Sequence, residues 1–216
     1  MKKLAIFDLD GTLLNTLDDL AAAGNHLLRA HGWPEHPVER YKIFVGNGIY
    51  KLVERMIPPG SDHSPGAIAL LRDEYNAYYS AHNADLTRPY PGVSEMLDAL
   101  REAGVVCAVL SNKPHAFTVA LCKSLLGDRF SVVHGQREGY PTKPDRLLTE
   151  EILEETGTLT ADTIYVGDSG VDMQTAKNGG LFAVGALWGF RTETELRENG
   201  ADALAACPVD VPGFIR

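Results

Sequence analysis

The chain holds only three cysteines in 216 residues, Cys107, Cys122 and Cys207, and no two of them form a C-x-x-C pair. A disulfide framework and a cysteine zinc site are therefore excluded, and free thiols in a reducing compartment are expected. Long apolar runs are missing too. The N-terminal MKKLAIFDLDG opens on two lysines, but Asp8 breaks its apolar stretch too early for a signal peptide. No other segment approaches the ~20 apolar residues of a membrane span. Positive charge is scarce: 20 Lys and Arg against 29 Asp and Glu leave a formal net charge of −9. That balance argues against nucleic acid and against anionic membrane surfaces as partners. A small anionic substrate stays admissible, because a metal ion and one lysine can reverse the sign locally. The seven histidines show no ligand spacing, and there is neither a repeat nor a low-complexity tract. What remains is a cytoplasmic globular chain with ample length for a core; its oligomeric state is not legible.

Five short runs read as buried strands: Lys3–Phe7, Val105–Leu110, Ser131–His134, Thr163–Val166 and Leu181–Leu187. They are continuously apolar instead of alternating, as strands covered on both faces are. Helical patterns separate most of them, such as PGVSEMLDALREAG, which stops at Gly104, and KPDRLLTEEILEETG, which stops at Gly157. Strands alternating with helices predict an α/β, doubly wound parallel sheet of Rossmann-like type, with ligands outside the carboxyl ends of the strands. From Asn15 to about Asn83 the alternation fails and only helical patterns appear. The expected division is a core of residues 1–14 and 84–216 with an all-helical insertion of 15–83, tethered through 13–17 and 84–92.

On that scaffold Asp8 and Asp10 end the first strand, Ser111 and Asn112 the second, and Asp168 the fourth, while Lys143 precedes the helix after the third. A charge after a strand is ordinarily a helix cap or a solvated loop. Three carboxylates, a hydroxyl and a lysine at one sheet edge are harder to assign that way. Carboxylates without nearby Cys or His are hard oxygen ligands that suit magnesium better than zinc. Gly11 and Thr12 can offer backbone N–H groups to an anion. Together these groups match a transferring phosphoryl group, whose transition state spreads negative charge over three oxygens. One aspartate can attack phosphorus and the other can transfer a proton. Two carboxylates two positions apart repel on an extended strand, so a cation or a bend must separate them.

FDLDGTLLNT resembles the first motif, D-x-D-G-T, of the haloacid dehalogenase superfamily. VLSNK is similar to its second motif, TKPD with Lys143 to its third, and YVGDSGVDMQTAKNGG to its fourth. The likeness runs through essentially the whole chain in the right order. It implies a phosphatase with a helical cap after the first strand, acting on a small phosphorylated metabolite. Asp8 would be nucleophile and metal ligand. Asp10 would be the acid/base, touching the metal through its backbone carbonyl. Ser111 and Lys143 would hold the phosphate, Asp168 would bind Mg2+, and Asp172 would support the site through water. FVGNGIYKLVERMI, YPGV, SNKP and WGFR resemble the phosphoglycolate phosphatase branch. Arg146 stands where the third motif usually has a second proline.

Within the cap, the turn Gly46-Asn47-Gly48 is expected to face the core and meet a substrate carboxylate with the N–H groups of the helix it opens. Lys51 and Arg55 on that helix are expected on a solvated face. Tyr75, Tyr78 and Tyr79 follow helical spacing and read as packing. GDSG at 167–170 also surrounds serine-protease nucleophiles, but its strand-to-helix context speaks against that reading. GNG is only a fragment of a dinucleotide loop and follows no buried strand. A phosphate-accepting signalling domain, a pyrophosphatase and a phosphosugar mutase remain as alternatives at this stage.

Overall fold

In the computed structural model, which describes residues 2–215, the first apolar run forms β1 (Leu4–Phe7), every residue of which is buried. Next in the chain come a two-residue strand β2 (Leu14–Asn15), the helices α1 (Leu17–Ala30), α2 (Tyr41–Phe44), α3 (Gly48–Met56) and α4 (Pro65–His82), and a second short strand β3 (Arg88–Pro89). The alternation then resumes with α5 (Val93–Glu102), β4 (Val106–Pro114), α6 (His115–Leu121) and β5 (Val132–Gln136). It ends with α7 (Leu147–Thr156), β6 (Thr163–Gly167), α8 (Gly170–Asn178), β7 (Phe182–Ala186), α9 (Glu193–Glu198) and β8 (Ala203–Ala205).

Six strands make one parallel sheet in the order β5-β4-β1-β6-β7-β8. The chain leaves β1 toward β4 and β5, then returns to the other side for β6, β7 and β8. The strand order reverses beside β1, so a crevice opens at its carboxyl end between β4 and β6. Apolar clusters cover both faces of the sheet, one around Phe7, Val109 and Val166 and the other around Ile6, Leu110 and Tyr165. Successive strand residues point to opposite faces, which is why the strands read as unbroken apolar runs.

All five expected strands are present. The sixth, β8, is three residues long and carried by two alanines and a leucine, too short for a periodic signal. β4 runs on to Pro114, with its register to β5 shifting between Leu110 and Pro114. Ser111 and Asn112 therefore lie inside the irregular end of a strand rather than after it.

The helical insertion has its own core. Leu20 and Leu27 of α1 pack with Leu52 and Val53 of α3 and with Ile68 and Tyr75 of α4 in a cluster separate from those of the sheet. Pro65 starts α4 with the φ a first helical turn needs, and Ser64 accepts the Ala67 N–H. The two tethers touch: β2 and β3 pair antiparallel, Leu14 opposite Pro89 and Asn15 opposite Arg88. Beside them, buried Asp19 accepts the N–H of Leu86 at 3.0 Å and the N–H and hydroxyl of Thr87 at 2.8 and 2.7 Å. Both ends of the insertion are thus clipped at one place.

Candidate active site

β1 delivers Asp8 directly into the crevice, where its N–H donates to Val166 O at 2.9 Å. β6 delivers Asp168, and α8 brings Asp172 round on its first turn. Ser169 and Asp172 form a capping box: the Ser169 hydroxyl receives the Asp172 N–H, and Asp172 Oδ2 accepts the Ser169 N–H at 3.0 Å. Carboxylate oxygens of Asp8, Asp168 and Asp172 lie within 4.8 Å of one another, all buried. Lys143 answers them, its Nζ 2.8 Å from Asp8 Oδ1 and 2.8 Å from Asp172 Oδ1, with only 2% of its side chain exposed.

Three buried carboxylates against one lysine leave negative charge in excess. Burial, then repulsion from Asp172, pushes the Asp8 carboxyl up to about 7 against the pull of Lys143. Asp168 is raised well above the usual carboxylate range by burial and by Asp172 and Asp8. Burial works against the Lys143 charge, yet Asp172 and Asp8 hold its pKa well above the ordinary lysine value. A cation would relieve the excess, and the all-oxygen donor set fits a hard divalent ion. Asp172 has little left to offer it. Its Oδ1 accepts from Lys143 and from Tyr165 at 3.2 Å, and its Oδ2 from the Ser169 hydroxyl at 2.6 Å. Asp8 and Asp168 are the carboxylates that could hold an ion, with Asp172 fixing Lys143.

Asp10 stands apart from that cluster. The chain turns after β1, and the Asp10 carboxylate meets Lys113 Nζ at 3.0 and 3.3 Å. The repulsion posed by two aspartates two positions apart is lessened by a bend that gives Asp10 a lysine of its own, while Asp8 shares Lys143 with Asp172. Lys113, unnoticed in the sequence although VLSNK ends on it, also lies 4.7 Å over the ring of Tyr79. Ser111 Oγ accepts the Lys113 N–H at 3.2 Å and faces the same cavity.

Gly11 and Thr12 do not present N–H groups to an anion. Gly11 N–H donates to Leu14 O at 2.9 Å and Thr12 N–H to Leu9 O at 3.3 Å, so the turn itself uses both. What the D-G-T sequence provides is space and orientation. A Cβ on Gly11, at φ +87°, would lie 2.4 Å from Asp168 Oδ2, and the Thr12 hydroxyl donates to Asp168 Oδ1 at 3.2 Å. Asn112 is likewise committed to the protein: its Oδ1 accepts the Lys143 N–H at 2.8 Å and its Nδ2 donates to Gly46 O at 3.0 Å.

Gly46 and Gly48 do reach the core and line the cavity above Asp8. Asn47 does not, because its Oδ1 accepts from Arg55 at 2.8 Å. Arg55 also donates to Phe44 O at 3.0 Å, so it ties the turn together, while Lys51 pairs with Glu54 on the surface. Tyr75 and Tyr79 are buried packing residues as expected, and they also wall the cavity with Ile49 and Leu52. Tyr78 stacks on His26 and His82, away from the cavity. The cavity volume is about 50 Å³, and the cavity opens to solvent. Phe190 and Arg191, from WGFR, close its far side; the Phe190 N–H donates to Asp168 Oδ2 at 2.7 Å.

The family described as haloacid dehalogenase-like hydrolase matches residues 5–186 of the chain. A phosphoglycolate phosphatase of Nitrosospira multiformis is 35% identical over 206 residues, covering 94% of this chain and 90% of that protein. One from Pseudomonas putida is 35% identical over 198 residues, covering 88% and 71%. Among solved structures, a Lactobacillus delbrueckii subsp. bulgaricus protein provisionally named as a phosphoglycolate phosphatase superposes with a TM-score of 0.93. It is 30% identical, and the match covers 100% of this chain and 99% of that one.

Proposed function

The chain belongs to the haloacid dehalogenase-like hydrolase family and is a phosphatase, and from that premise we propose that its substrate is 2-phosphoglycolate or a similarly small phosphomonoester, hydrolysed through an aspartyl-phosphate on Asp8. The observation that carries this reading is the convergence of Asp8, Asp168 and Lys143 at one sheet edge, beneath a cavity roofed by the helical insertion. We read residues 15–83 as the cap and residues 1–14 and 84–216 as the core.

Asp8 attacks phosphorus, and its oxygen takes the phosphoryl group from the departing alkoxide. Lys143 and the Ser111 hydroxyl meet the phosphoryl oxygens as their charge is redistributed. Asp10 protonates the leaving oxygen and then draws a proton from the water that opens the aspartyl-phosphate. Magnesium, held by Asp8, Asp168 and the backbone carbonyl of Asp10, would screen the repulsion between the carboxylates and the phosphate. The cap supplies the remaining selectivity, since the core groups address only the phosphoryl end. Phosphate release from a panel of phosphorylated metabolites, with magnesium and with chelator, tests the proposal. Strong preference for a short phosphorylated acid, lost on chelation, is the expected result; turnover of sugar phosphates alone, or none that depends on metal, would overturn it.

A further inference from the structure

The turn between α2 and α3 is held down by side chains from the core. α2 is four residues long, so the carbonyls at its end have no helical partners. Arg191 donates from Nη1 to Lys42 O within α2 and from Nη2 to Val45 O just after it, at 2.8 Å. Asn112 donates to the next carbonyl of the turn, Gly46 O.

The same core segment also holds the acid cluster. The residue before Arg191 is Phe190, whose N–H fixes Asp168 Oδ2. Arg191 Nε lies 3.4 Å from Glu195 Oε1, and that oxygen accepts the N–H of Gly170, the first residue of α8. A Cβ placed on Gly189 would fall 2.2 Å from Asp168 Cβ and 2.5 Å from Gly11 O, so Gly189 packs directly against Asp168 beside the Phe190 N–H that binds its carboxylate. A packed segment of this kind transmits displacement instead of absorbing it.

We propose that Arg191 is a positioning residue that couples the seating of the cap to the placement of Asp168. The divalent-cation site is then complete only when the Lys42–Gly46 turn rests on the core. The inference rests on the phosphatase reading for the identity of the cation and on nothing else in it. Linkage makes the coupling reciprocal: whatever holds the turn down tightens cation binding, and the cation in turn favours the seated cap.

The test compares wild type, Arg191→Ala and Arg191→Lys. Lysine keeps the charge but cannot bridge two carbonyls with a planar fork, and it serves if the alanine variant fails to fold. Amide hydrogen exchange is followed over residues 41–48 and 166–172, and the half-saturating magnesium concentration is read from thermal shift. Neither measurement involves turnover, so an error in the proposed substrate leaves the result intact. Both variants should exchange faster in both segments and need about 5–20-fold more magnesium for half-saturation. Faster exchange confined to 41–48, with magnesium half-saturation unchanged, would reduce Arg191 to a local tie of the cap and overturn the coupling.

Discussion

Lys113 Nζ lies 3.0 Å from Asp10 Oδ1, and only 3% of the lysine side chain and 11% of the aspartate are exposed. The pair does for Asp10 what Lys143 does for Asp8. It separates the two aspartates into two electrostatic environments, one inside the carboxylate cluster and one outside it. The acid/base role we propose for Asp10 depends on that separation, because a fourth carboxylate in the cluster would have to share its cation.

Lys113→Met should therefore cost both stability and turnover. Breaking a buried ion pair by removing one partner typically costs about 3–5 kcal/mol, since the other charge stays behind unpaired. Urea melts should show a loss of that order, and kcat for an alkyl phosphate should fall at least about tenfold, with Lys113→Arg closer to wild type. Wild-type stability and kcat in the methionine variant would remove Lys113 from the site.

Asp8 and Asp10 should separate kinetically. Asp8→Asn cannot attack phosphorus, so no substrate should be turned over. Asp10→Asn keeps the nucleophile but loses a proton transfer typically worth ~10²–10⁴-fold. The loss should be smaller for an aryl phosphate, whose leaving group needs little protonation. Equal losses for aryl and alkyl substrates would contradict the acid role.

The buried carboxylates predict how stability follows pH. Burial and neighbouring charge raise Asp8 to about 7 and raise Asp168 as well. Both groups hold protons more tightly folded than unfolded. Their contribution to stability is fully present below the unfolded value of 3.8; that of Asp8 is lost as pH rises through about 7, and that of Asp168 as pH rises through its own raised pKa. Without divalent cation, Tm should fall between about pH 5 and about pH 8, and magnesium should restore it mostly at the higher pH, where the carboxylates are ionised. A magnesium effect equal at both pH values would mean the ion binds elsewhere.

The sheet was readable because strands covered on both faces leave uninterrupted apolar runs, and the carboxyl-end positions of Asp8, Asp168 and Lys143 follow from where those runs stop. The insertion was readable from the failure of the alternation. Three features were not. β8 has three residues and no periodicity. Lys113 sits inside β4, one position after Asn112, and its direction depends on the register shift there. The N–H groups of Gly11 and Thr12 are taken up inside their own turn, by Leu14 O and Leu9 O, while Asn112 is committed through contacts far along the chain, with Lys143 and Gly46. Residue type marks a donor; only the fold shows whether it is already used.

Gly48 offers the sharpest probe of how the cap selects substrate. It opens α3 at φ +83°, a conformation that L side chains rarely adopt, and an added Cβ would lie 2.9 Å from Gln136 Oε1 of β5. Gly46, at φ +114°, has open space by comparison, its nearest neighbour being Arg191 Nη2 at 3.7 Å. Both alanine variants share the backbone strain, but only Gly48→Ala also pushes against the core. If the turn meets the non-phosphoryl end of the substrate, Gly48→Ala should raise KM for 2-phosphoglycolate more than Gly46→Ala does. KM for an aryl phosphate, which asks little of the cap, should move little in either variant. Leu in place of Ala at position 48 should enlarge the difference, because a longer side chain cannot be accommodated by a small shift of Gln136. Parallel changes for both substrates, or none, would leave this turn a plain connection between α2 and α3.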